Sequence, residues 1–414
     1  MKKVYVVGTC DTKYRELQFV RDAIETVGFP AALVDVSTVY GSHEADFTAR
    51  EVARFHPDGE LAVLGLTDRG KAVAAMGEAL TAFLAARDDV AGVIGLGGGG
   101  NTALVTQGMR ALPIGLPKLM VSTIASGDVS PYVGACDICM MYSVTDIAGI
   151  NSINRVVLTN AAHALAGMAR HAVAPDMGIR RALGLTQFGV TTGCVDQLRA
   201  KLGDACECIV FHATGIGGQT MEKLVDSGFL SGVLDITTTE VADHLFGGVL
   251  ACTDDRFGAL ARTKVPAVVS CGALDMINFG PLATVPERYR DRLLHAHNPQ
   301  VTLMRTTPEE SAECGQWIAN RLNLCDGPLR LLIPEQGVSA MDKPGMPFHD
   351  PIADRALFDA LEKHLLQSAS RRLVFVPFHI NDPGFADAVV AQFFEAANEV
   401  ENFFADFRER SRKS

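Results

Sequence analysis

The sequence predicts an α/β protein made of two Rossmann-like subdomains with mostly parallel sheets and an interdomain cleft. Its 414 residues suffice for two or three domains. Short, nearly continuous apolar runs alternate with helical patterns, which is typical of parallel sheets covered on both faces. The same alternation starts again after about residue 179, so we predict an N-terminal subdomain over residues 1–178 and a C-terminal subdomain over residues 179–414.

The N-terminal half opens with a strand at 4–7 and a helix over about 14–27. The helix carries one apolar stripe, because its apolar residues recur at steps of three and four: Leu17, Val20, Ile24 and Val27. Five further buried strands are predicted at 31–36, 61–66, 90–96, 118–123 and 138–142. A helical start is predicted at 103–105, after the strand at 90–96 and the glycines that follow it.

A long helix over about 151–171 closes this half. We predict that one face buries Ile153, Val157, Ala161, Leu165 and Met168. The segment 174–179 contains a proline and a glycine and should end the helix, so we place the domain boundary there.

The C-terminal half repeats the pattern. Strands are predicted at 181–185, 208–212, 233–236, 267–271, 301–305, 329–333 and 373–376, with helices at 194–202, around 221–225, at 351–367 and at 382–408. Segment 272–300 has no clean period and contains prolines, so we interpret it as a long functional or mobile loop.

Charge and composition exclude several classes of protein. The formal net charge is −11, which argues against a nucleic-acid binder with a basic face and requires any anionic ligand to be held by local groups. No run approaches the length of a membrane span, and the N-terminus lacks a signal peptide. The ten cysteines are expected to be reduced and mostly buried, so we predict a soluble, cytoplasmic protein without membrane or nucleic-acid partners.

Three glycine-containing loops follow predicted strands and precede predicted helices. The first is Gly8-Thr9-Cys10-Asp11-Thr12-Lys13. Amide groups at a helix start attract phosphate or carboxylate, and Thr9, Thr12 and Lys13 add donors. Asp11 either caps the helix or orients a metal ion or a proton. An ordinary capped turn is the alternative for the whole loop.

The second loop is Gly97-Gly98-Gly99-Gly100-Asn101-Thr102. Four glycines remove the side chains that would keep a ligand from the backbone, and their ordering entropy is large for a simple turn. Asn101 and Thr102 lie where helix capping is expected. We interpret the loop as a ligand-binding segment, with a plain tight turn as the alternative.

The third loop, Thr214-Gly215-Ile216-Gly217-Gly218-Gln219-Thr220, lies between His212 and Glu222. It matches a dinucleotide-binding fingerprint only weakly, which disfavours a nicotinamide enzyme. We expect it to bind an anion near a carboxylate or imidazole. The candidate catalytic residues are therefore Asp11, His212 and Glu222.

Other candidates have ordinary alternatives. His295 and His297 would share a strand face, but no carboxylate completes a metal site, and no metal ligands are assigned. The alternating Arg288, Arg290 and Arg292 indicate either a solvated surface or an anion clamp. Ser339 resembles a hydrolase nucleophile only loosely. Arg155 points away from the apolar stripe of its helix and is free to face solvent or a pocket.

Nine sequence strings in this order resemble the UPF0261 family, also called the Tm-1-like ATP-binding domain family. They are GTCDTK, GLGGGGNTAL, STIASGD, DIAGINSINRVVLTNAA, FGVTTGCV, FHATGIGGQTME, DITTTE, HNPQVTLMRT and GVSAMDKPGMPFHDPIAD. The resemblance implies a two-subdomain α/β module that binds ATP. The implied contacts are Gly8, Thr9, Asp11, Thr12, Lys13, Gly98, Gly99, Gly100, Asn101, Thr102 and Arg155. From its shape, we expect loop 215–219 to face the same cleft.

The resemblance also implies a separate or absent partner, because plant members of the family carry a further TIM-barrel-type domain. Our first hypothesis is ATP binding with Mg²⁺ held through the nucleotide and Asp11, and phosphoryl or adenylyl transfer to an unidentified small acid. His212, Gln219 and Glu222 would then face this second substrate. The alternatives are an ATP-gated interaction module and an enzyme for a small phosphorylated or carboxylate substrate. We expect a homodimer.

Overall fold

The computed structural model of the chain describes residues 2–39, 44–173, 181–203, 205–400 and 403. The chain divides into two compact units, residues 1–176 and 177–414. The boundary predicted within residues 174–179 lies outside the described residues. Both units are α/β and contain parallel sheets, as predicted. The expected cleft between them stays a prediction.

Unit 1 contains a five-stranded parallel sheet in the order β2-β1-β3-β4-β5. Its strands are β1 (Lys3–Gly8), β2 (Ala31–Asp35), β3 (Val90–Gly97), β4 (Lys118–Ser122) and β5 (Cys139–Tyr142). The four strands from β1 to β4 are almost wholly buried. Apolar side chains project from both faces of the sheet, and helices cover each face.

In the described part of unit 1, seven helices accompany this sheet. They are α1 (Cys10–Thr26), α2 (Ala49–Ala53), α3 (Leu61–Leu64), α4 (Arg69–Ala85), α5 (Gly99–Ala111), α6 (Ser130–Val133) and α7 (Ser152–Arg170). One core cluster contains side chains of α2, α4 and α5, and a second contains side chains of α1 and α7. Leu17, Val20 and Ile24 of α1 are fully buried, which confirms the predicted stripe.

A predicted strand and a predicted helix face of unit 1 were wrong. Segment 61–66 is not a strand, because it contains the short helix α3, and Leu61 is 72 % exposed. The buried face of α7 is also different from the apolar face that was predicted for it. Asn154, whose side chain accepts from the amide of the N-cap residue Asn151, is buried, whereas Ile153 is half exposed. A run of four apolar residues cannot by itself distinguish a strand from a helical turn.

Unit 2 contains a six-stranded parallel sheet in the order β14-β13-β9-β8-β6-β7 and a three-stranded antiparallel sheet in the order β10-β12-β11. The strands are β6 (Arg181–Gln187), β7 (Cys206–His212), β8 (Gly232–Thr237), β9 (Ala267–Gly272), β10 (Met276–Phe279), β11 (Leu294–Asn298), β12 (Val301–Arg305), β13 (Leu329–Pro334) and β14 (Arg371–Val376).

The helices of unit 2 are α8 (Thr192–Leu202), α9 (Ile216–Asp226), α10 (Glu240–Phe246), α11 (Gly258–Thr263), α12 (Pro308–Leu322), α13 (Pro351–His364) and α14 (Pro383–Asn398). Glycine loop 214–220 is therefore only partly a loop, because α9 begins at its third residue. Helix α14 ends before the predicted end at residue 408, and residues 404–408 lie outside the described residues.

The expected long loop 272–300 is instead ordered structure. It contains β10 and β11, and both strands pair with β12 to form the antiparallel sheet. Pro281 and Pro286 break the segment between these strands, so neither strand is long enough to show a clear alternation of apolar residues. Segment 272–300 therefore shows no apolar period because its strands are short.

None of the helices in the described ranges combines the length and apolarity that crossing a lipid bilayer requires. The thiols of Cys10, Cys194, Cys252, Cys271, Cys314 and Cys325 are buried and free. Burial raises the pKa of the Cys194 and Cys252 thiols to about 12, so both stay protonated at neutral pH.

Candidate functional site

The candidate site of unit 1 is a cavity of about 570 Å³ at the carboxyl ends of its parallel strands. Strand β2 lies on one side of β1, and the next strand along the chain, β3, lies on the other side of β1. The strand order therefore reverses between β1 and β3. Ligands of open α/β sheets bind at such a switch point. We call this cavity the glycine pocket. Its lining includes Thr9, Asp11, Thr12, Lys13, Thr38, Thr67, Arg69, Gly97, Gly98, Gly99, Gly100, Asn101 and Asp146.

The first glycine loop brings side chains to the pocket, but its amide groups are already bonded. The amide of Cys10 donates to Asp35 Oδ1 at 3.0 Å, and that of Asp11 donates to Ser37 Oγ at 3.1 Å. Thr9 is the N-cap residue, so Asp11 does not cap the helix, which was one of the two roles open to it. Asp35 and Ser37 are buried, and they occupy the place at the start of α1 that an anion would take.

The second glycine loop keeps its amides open. Helix α5 begins at Gly99 with Gly98 as its N-cap, so Asn101 and Thr102 lie inside the helix and are not caps as predicted. No residue that the structure describes accepts a hydrogen bond from the amides of Gly99, Gly100 or Asn101. A Cβ added at Gly99 or Gly100 would meet nothing within 4 Å. These amides therefore face open space in the pocket.

The Asn101 side chain bonds the end of strand β3, next to these amides. Its Nδ2 donates to the carbonyl oxygen of Leu96 at 2.6 Å, and its buried Oδ1 has no hydrogen-bond partner among the described residues. Gly97 adopts a φ of 155°, and a Cβ there would lie 2.8 Å from the Asn101 Cβ. Glycine is required at this position because a larger residue would displace Asn101.

Charged side chains of both signs line the glycine pocket. Lys13 departs from helical geometry, and its Nζ donates to the carbonyl oxygen of Ile147. Arg69, the first residue of α4, is exposed at the lining. Asp11 and Asp146 contribute two carboxylates. The sequence analysis did not identify Arg69 or Asp146, although Asp146 follows β5 and its position after a strand was a usable signal.

Three residues predicted for this site do not line the pocket. Gly8 is buried, and a Cβ there would lie 2.7 Å from the Leu17 side chain, so this glycine allows α1 to pack on β1. Thr102 is fully buried and bonds Ser122 Oγ at 2.7 Å. Arg155 is exposed, and its guanidinium lies 5.4 Å from the ring centre of Phe19.

The third glycine loop binds a carboxylate of its own chain. The amides of Gly215 and Gly218 donate to Glu240 Oε1 at 2.7 and 3.1 Å, and Glu240 is fully buried. A Cβ at Gly217 would overlap the carbonyl oxygen of His212. The glycines of this loop are therefore explained by close packing and by the internal acceptor, and we do not include them in the site.

Glu222 belongs to the same interior cluster. Arg256 Nη1 lies 2.8 Å from Glu222 Oε1 and 2.7 Å from Asp235 Oδ2, while its Nε lies 3.1 Å from Glu240 Oε2. Glu222 also accepts from the amide of Phe257 at 2.7 Å. The carboxylate of Glu222 is thus buried and bonded to Arg256, and its predicted catalytic role stays a prediction. We call Glu222, Asp235, Glu240 and Arg256 the Arg256 cluster.

The other polar candidates of unit 2 are at the surface. His212 is exposed at the end of β7, and its ring centre lies 5.3 Å from that of Phe188. Gln219 is half-buried on α9. His295 lies 6.2 Å from the Phe348 ring, and within the described ranges no three His, Cys, Asp or Glu side chains are grouped to hold a metal ion. Arg292 is paired with Glu310 at 2.7 Å.

Comparison with known proteins identifies the family. The family model of the N-terminal domain of the uncharacterised protein family UPF0261 matches residues 2–174, and that of its C-terminal domain matches residues 180–397. A UPF0261 protein of Rhizobium meliloti is 59 % identical over 398 residues, covering 96 % of this chain and all of the relative. A UPF0261 protein of Clostridium tetani is 42 % identical over 393 residues, covering 94 % of this chain and 97 % of the relative.

A plant protein is also similar. The ToMV resistance protein Tm-1 of Solanum lycopersicum is 43 % identical over 418 residues, which cover 95 % of this chain but only 55 % of the relative. The nine sequence strings thus correspond to a match along nearly the whole chain. Both domain models match, and the chain covers at least 97 % of the two bacterial relatives, which are 59 % and 42 % identical, so the chain belongs to the UPF0261 family.

Proposed function

We propose that the glycine pocket binds a nucleoside triphosphate, ATP, with its phosphates against the start of α5. The observation that carries the proposal is the set of open amides at Gly99, Gly100 and Asn101, which face a cavity without intervening side chains. Unbonded amides at a helix start, together with the helix dipole, favour a bound anion. Among the described residues, this glycine loop leaves three consecutive first-turn amides unbonded, whereas the third loop leaves that of Gly217 alone and the first loop leaves none.

Local positive charge supports an anionic ligand in this acidic protein. Lys13 and Arg69 both line the pocket, and they add to the potential of the amides. The net charge of −11 repels a polyanion at long range, but screening by salt weakens that repulsion beyond about 10 Å. The cavity volume of about 570 Å³ lies in the range that small-molecule and cofactor sites occupy.

Asp11 and Asp146 fit a role in holding Mg²⁺ together with the phosphates. Both carboxylates line the pocket, and carboxylate oxygens are ligands that Mg²⁺ uses beside substrate phosphates. Bound there, the ion would neutralise part of the phosphate charge. The carboxylate of Asp11 makes no hydrogen bond or ion pair with the residues that the structure describes, so it is available.

The resemblance to the Tm-1-like ATP-binding family supports the choice of ATP. Phosphoryl or adenylyl transfer to a small acid and ATP-gated interaction without turnover are both extensions of this proposal. Asp11 is the one predicted catalytic residue in the pocket. Sustained release of ADP or AMP in the presence of candidate acids would favour transfer, and binding without turnover would favour the interaction module.

Gly100→Leu is expected to abolish ATP binding without destabilising the free protein. The new side chain has open space around its Cβ but occupies the pocket in front of the amides. At ATP concentrations about 100-fold above Kd, binding should stabilise the wild type by about 2.7 kcal/mol. Differential scanning fluorimetry with and without Mg-ATP measures the corresponding rise in Tm, which should vanish in the variant.

The matched control is Gly167→Leu. Gly167 is an exposed glycine inside α7, it also has nothing within 4 Å of an added Cβ, and it does not line the pocket. This variant should keep the full ATP-dependent rise in Tm. An equal rise in both variants would remove the α5 amides from the site and contradict the proposal.

Lys13→Ala is expected to weaken ATP binding by about tenfold, because it removes one positive charge from the pocket. Isothermal titration calorimetry with Mg-ATP measures the change in Kd. Lys71→Ala removes an exposed lysine of α4 that does not line the pocket and should leave Kd unchanged. An unchanged Kd in Lys13→Ala would exclude a contact between Lys13 and the nucleotide.

A further inference from the structure

Unit 2 contains a second polar cavity, of about 680 Å³, at the carboxyl end of its parallel sheet. The segments that follow β13 and β14 and the first turn of α13 line it. We call it the aspartate pocket and define it by Lys343, His349, Asp354, His379 and Asn381. It lies at the edge of the sheet where ligands of α/β proteins bind, and no role has been assigned to it so far.

A group of three buried carboxyls adjoins this pocket and surrounds one guanidinium. Asp354 lines the pocket and is 8 % exposed, whereas Asp342 is fully buried. Arg305 Nη2 lies 2.8 Å from Asp354 Oδ1 and 3.8 Å from Asp342 Oδ1. The third carboxyl, Asp275, accepts from Ser339 Oγ at 2.7 Å. One guanidinium cannot neutralise three carboxylates, so burial favours protonation of at least one of them.

Two oxygens of these carboxyls lack partners. Asp342 Oδ1 and Asp275 Oδ1 are buried and have no hydrogen-bond partner among the described residues. Asp342 Oδ1 lies next to the pocket lining, since it is 3.9 Å from Nδ1 of His349. A buried carboxylate oxygen without a donor is costly in a native structure and is typical of a functional site.

The pocket also presents nitrogen donors. Lys343 makes no ion pair with the residues that the structure describes, and the His349 side chain is 32 % exposed. His379 is different, because its Nε2 lies 2.8 Å from the carbonyl oxygen of Ser339 and its Nδ1 accepts from the amide of Asn381 at 3.1 Å. His379 therefore shapes the pocket, while Lys343 and His349 are available to a ligand.

We propose that the aspartate pocket binds a small organic acid, with its carboxylate held by Lys343 and His349 and a second oxygen accepting a hydrogen bond from protonated Asp354. A carboxylic acid kept neutral by its surroundings is a good donor to a carbonyl or hydroxyl oxygen. A metal ion is disfavoured, because Arg305 occupies the space between the carboxyls and no three metal-ligating side chains are grouped among the described residues.

The electrostatics agree with this geometry. Burial, and then the negative charge of Asp342, raise the pKa of Asp354 to about 8, although Arg305 acts in the opposite sense. Burial and Asp342 also raise the pKa of Asp275 to about 7. The titratable and charged groups that face Asp354 or share its pocket are Asp275, Arg305, Glu335, Asp342, Lys343, His349, Arg355, His379 and Asp382.

The proposal predicts that acid binding weakens as the pH rises. If only protonated Asp354 binds, the affinity should fall about tenfold between about pH 7 and about pH 9, since the pKa is about 8. Asp354→Asn should keep binding at neutral pH and lose this dependence, because the amide still donates but does not titrate. The amide oxygen can also accept from Arg305, so the variant is expected to fold.

The experiment is isothermal titration calorimetry of the full chain with pyruvate, lactate and malonate at millimolar concentrations. We expect at least one of these acids to bind the wild type with the stated pH dependence. Lys343→Met should weaken binding at least tenfold without changing Tm, since Lys343 is exposed. The control is Glu362→Gln, which alters an exposed carboxylate of α13 outside the pocket and should behave as the wild type.

Two results would overturn the proposal: no binding of any of the three acids, or the same pH dependence in Asp354→Asn as in the wild type. Neither result bears on ATP binding, because the glycine pocket consists of unit 1 residues. Gly100→Leu should leave acid binding unchanged, so that failure of one proposal is distinguishable from failure of the other.

Discussion

Arg256→Met is expected to lower the free energy of unfolding by about 3–5 kcal/mol, because it leaves buried carboxylates without their cation. Arg256 is 2 % exposed and bonds Glu222, Asp235 and Glu240. Methionine fills a similar volume but supplies no hydrogen bond. Urea denaturation followed by circular dichroism measures the difference between variant and wild type.

The matched control for this prediction is Arg262→Met. Arg262 also bonds two carboxylates, those of Asp226 and Asp255, but its side chain is 48 % exposed. Exposed ion pairs contribute roughly 0–1 kcal/mol, so the control should be nearly as stable as the wild type. Equal losses in the two variants would show that the Arg256 cluster does not depend on its cation.

The loss caused by Arg256→Met should also depend on pH. Burial raises the pKa of Glu222 and of Glu240 even in the wild type, and removing Arg256 removes the charge that opposes this shift. A carboxyl whose pKa is raised in the folded state contributes stability that is fully present below its unfolded pKa and is lost as the pH rises through its folded pKa. The deficit of the variant should therefore be smaller near pH 4 than near pH 7.

Gly217→Ala is expected to lower the free energy of unfolding by about 3 kcal/mol or more. Its Cβ would overlap the backbone carbonyl oxygen of His212, which cannot move as a flexible side chain would. Either α9 or the end of β7 would have to shift, and that shift would also disturb the bonds from Gly215 and Gly218 to Glu240. Thermal unfolding followed by circular dichroism measures the loss.

Gly100→Ala is the control at the equivalent position. Gly100 and Gly217 are each the second residue of their helix, α5 and α9. Nothing lies within 4 Å of a Cβ at Gly100, so alanine should leave stability unchanged or raise it by up to about 1 kcal/mol. If Gly217→Ala were as stable as Gly100→Ala, close packing would not explain the third glycine loop.

The two glycine variants test a distinction that the sequence could not make. All three loops combine glycine with polar residues after a strand, and each predicts an anion site on that pattern alone. The structure shows amides bonded to Asp35 and Ser37 in the first loop and to Glu240 in the third, and open amides at Gly99 and Gly100. The acceptors Asp35 and Glu240 lie about 25 residues from the amides that they bind, beyond the reach of a local pattern.

Errors of secondary structure had similar causes. In α7, apolarity alone favours Ile153 as the buried residue, but Asn154 is buried because its side chain bonds the backbone of Asn151 and Gly149. A polar residue can be buried wherever it satisfies backbone groups at a helix start. The aspartate pocket was missed for a related reason, since its carboxyls come from three separate segments of unit 2 and no single motif contains them.

The sequence by itself determined that the chain is α/β, where most buried strands lie, which loops follow strand ends, and the family. These properties depend on local apolar periodicity and on residue strings, which are readable along the chain. Only the tertiary structure decided which glycine loop offers unbonded amides, that Glu222 is an interior ion-pair partner, and that Asp342 and Asp354 share one guanidinium. Hydrogen bonding and burial depend on which distant segments meet, and folding alone brings those segments together.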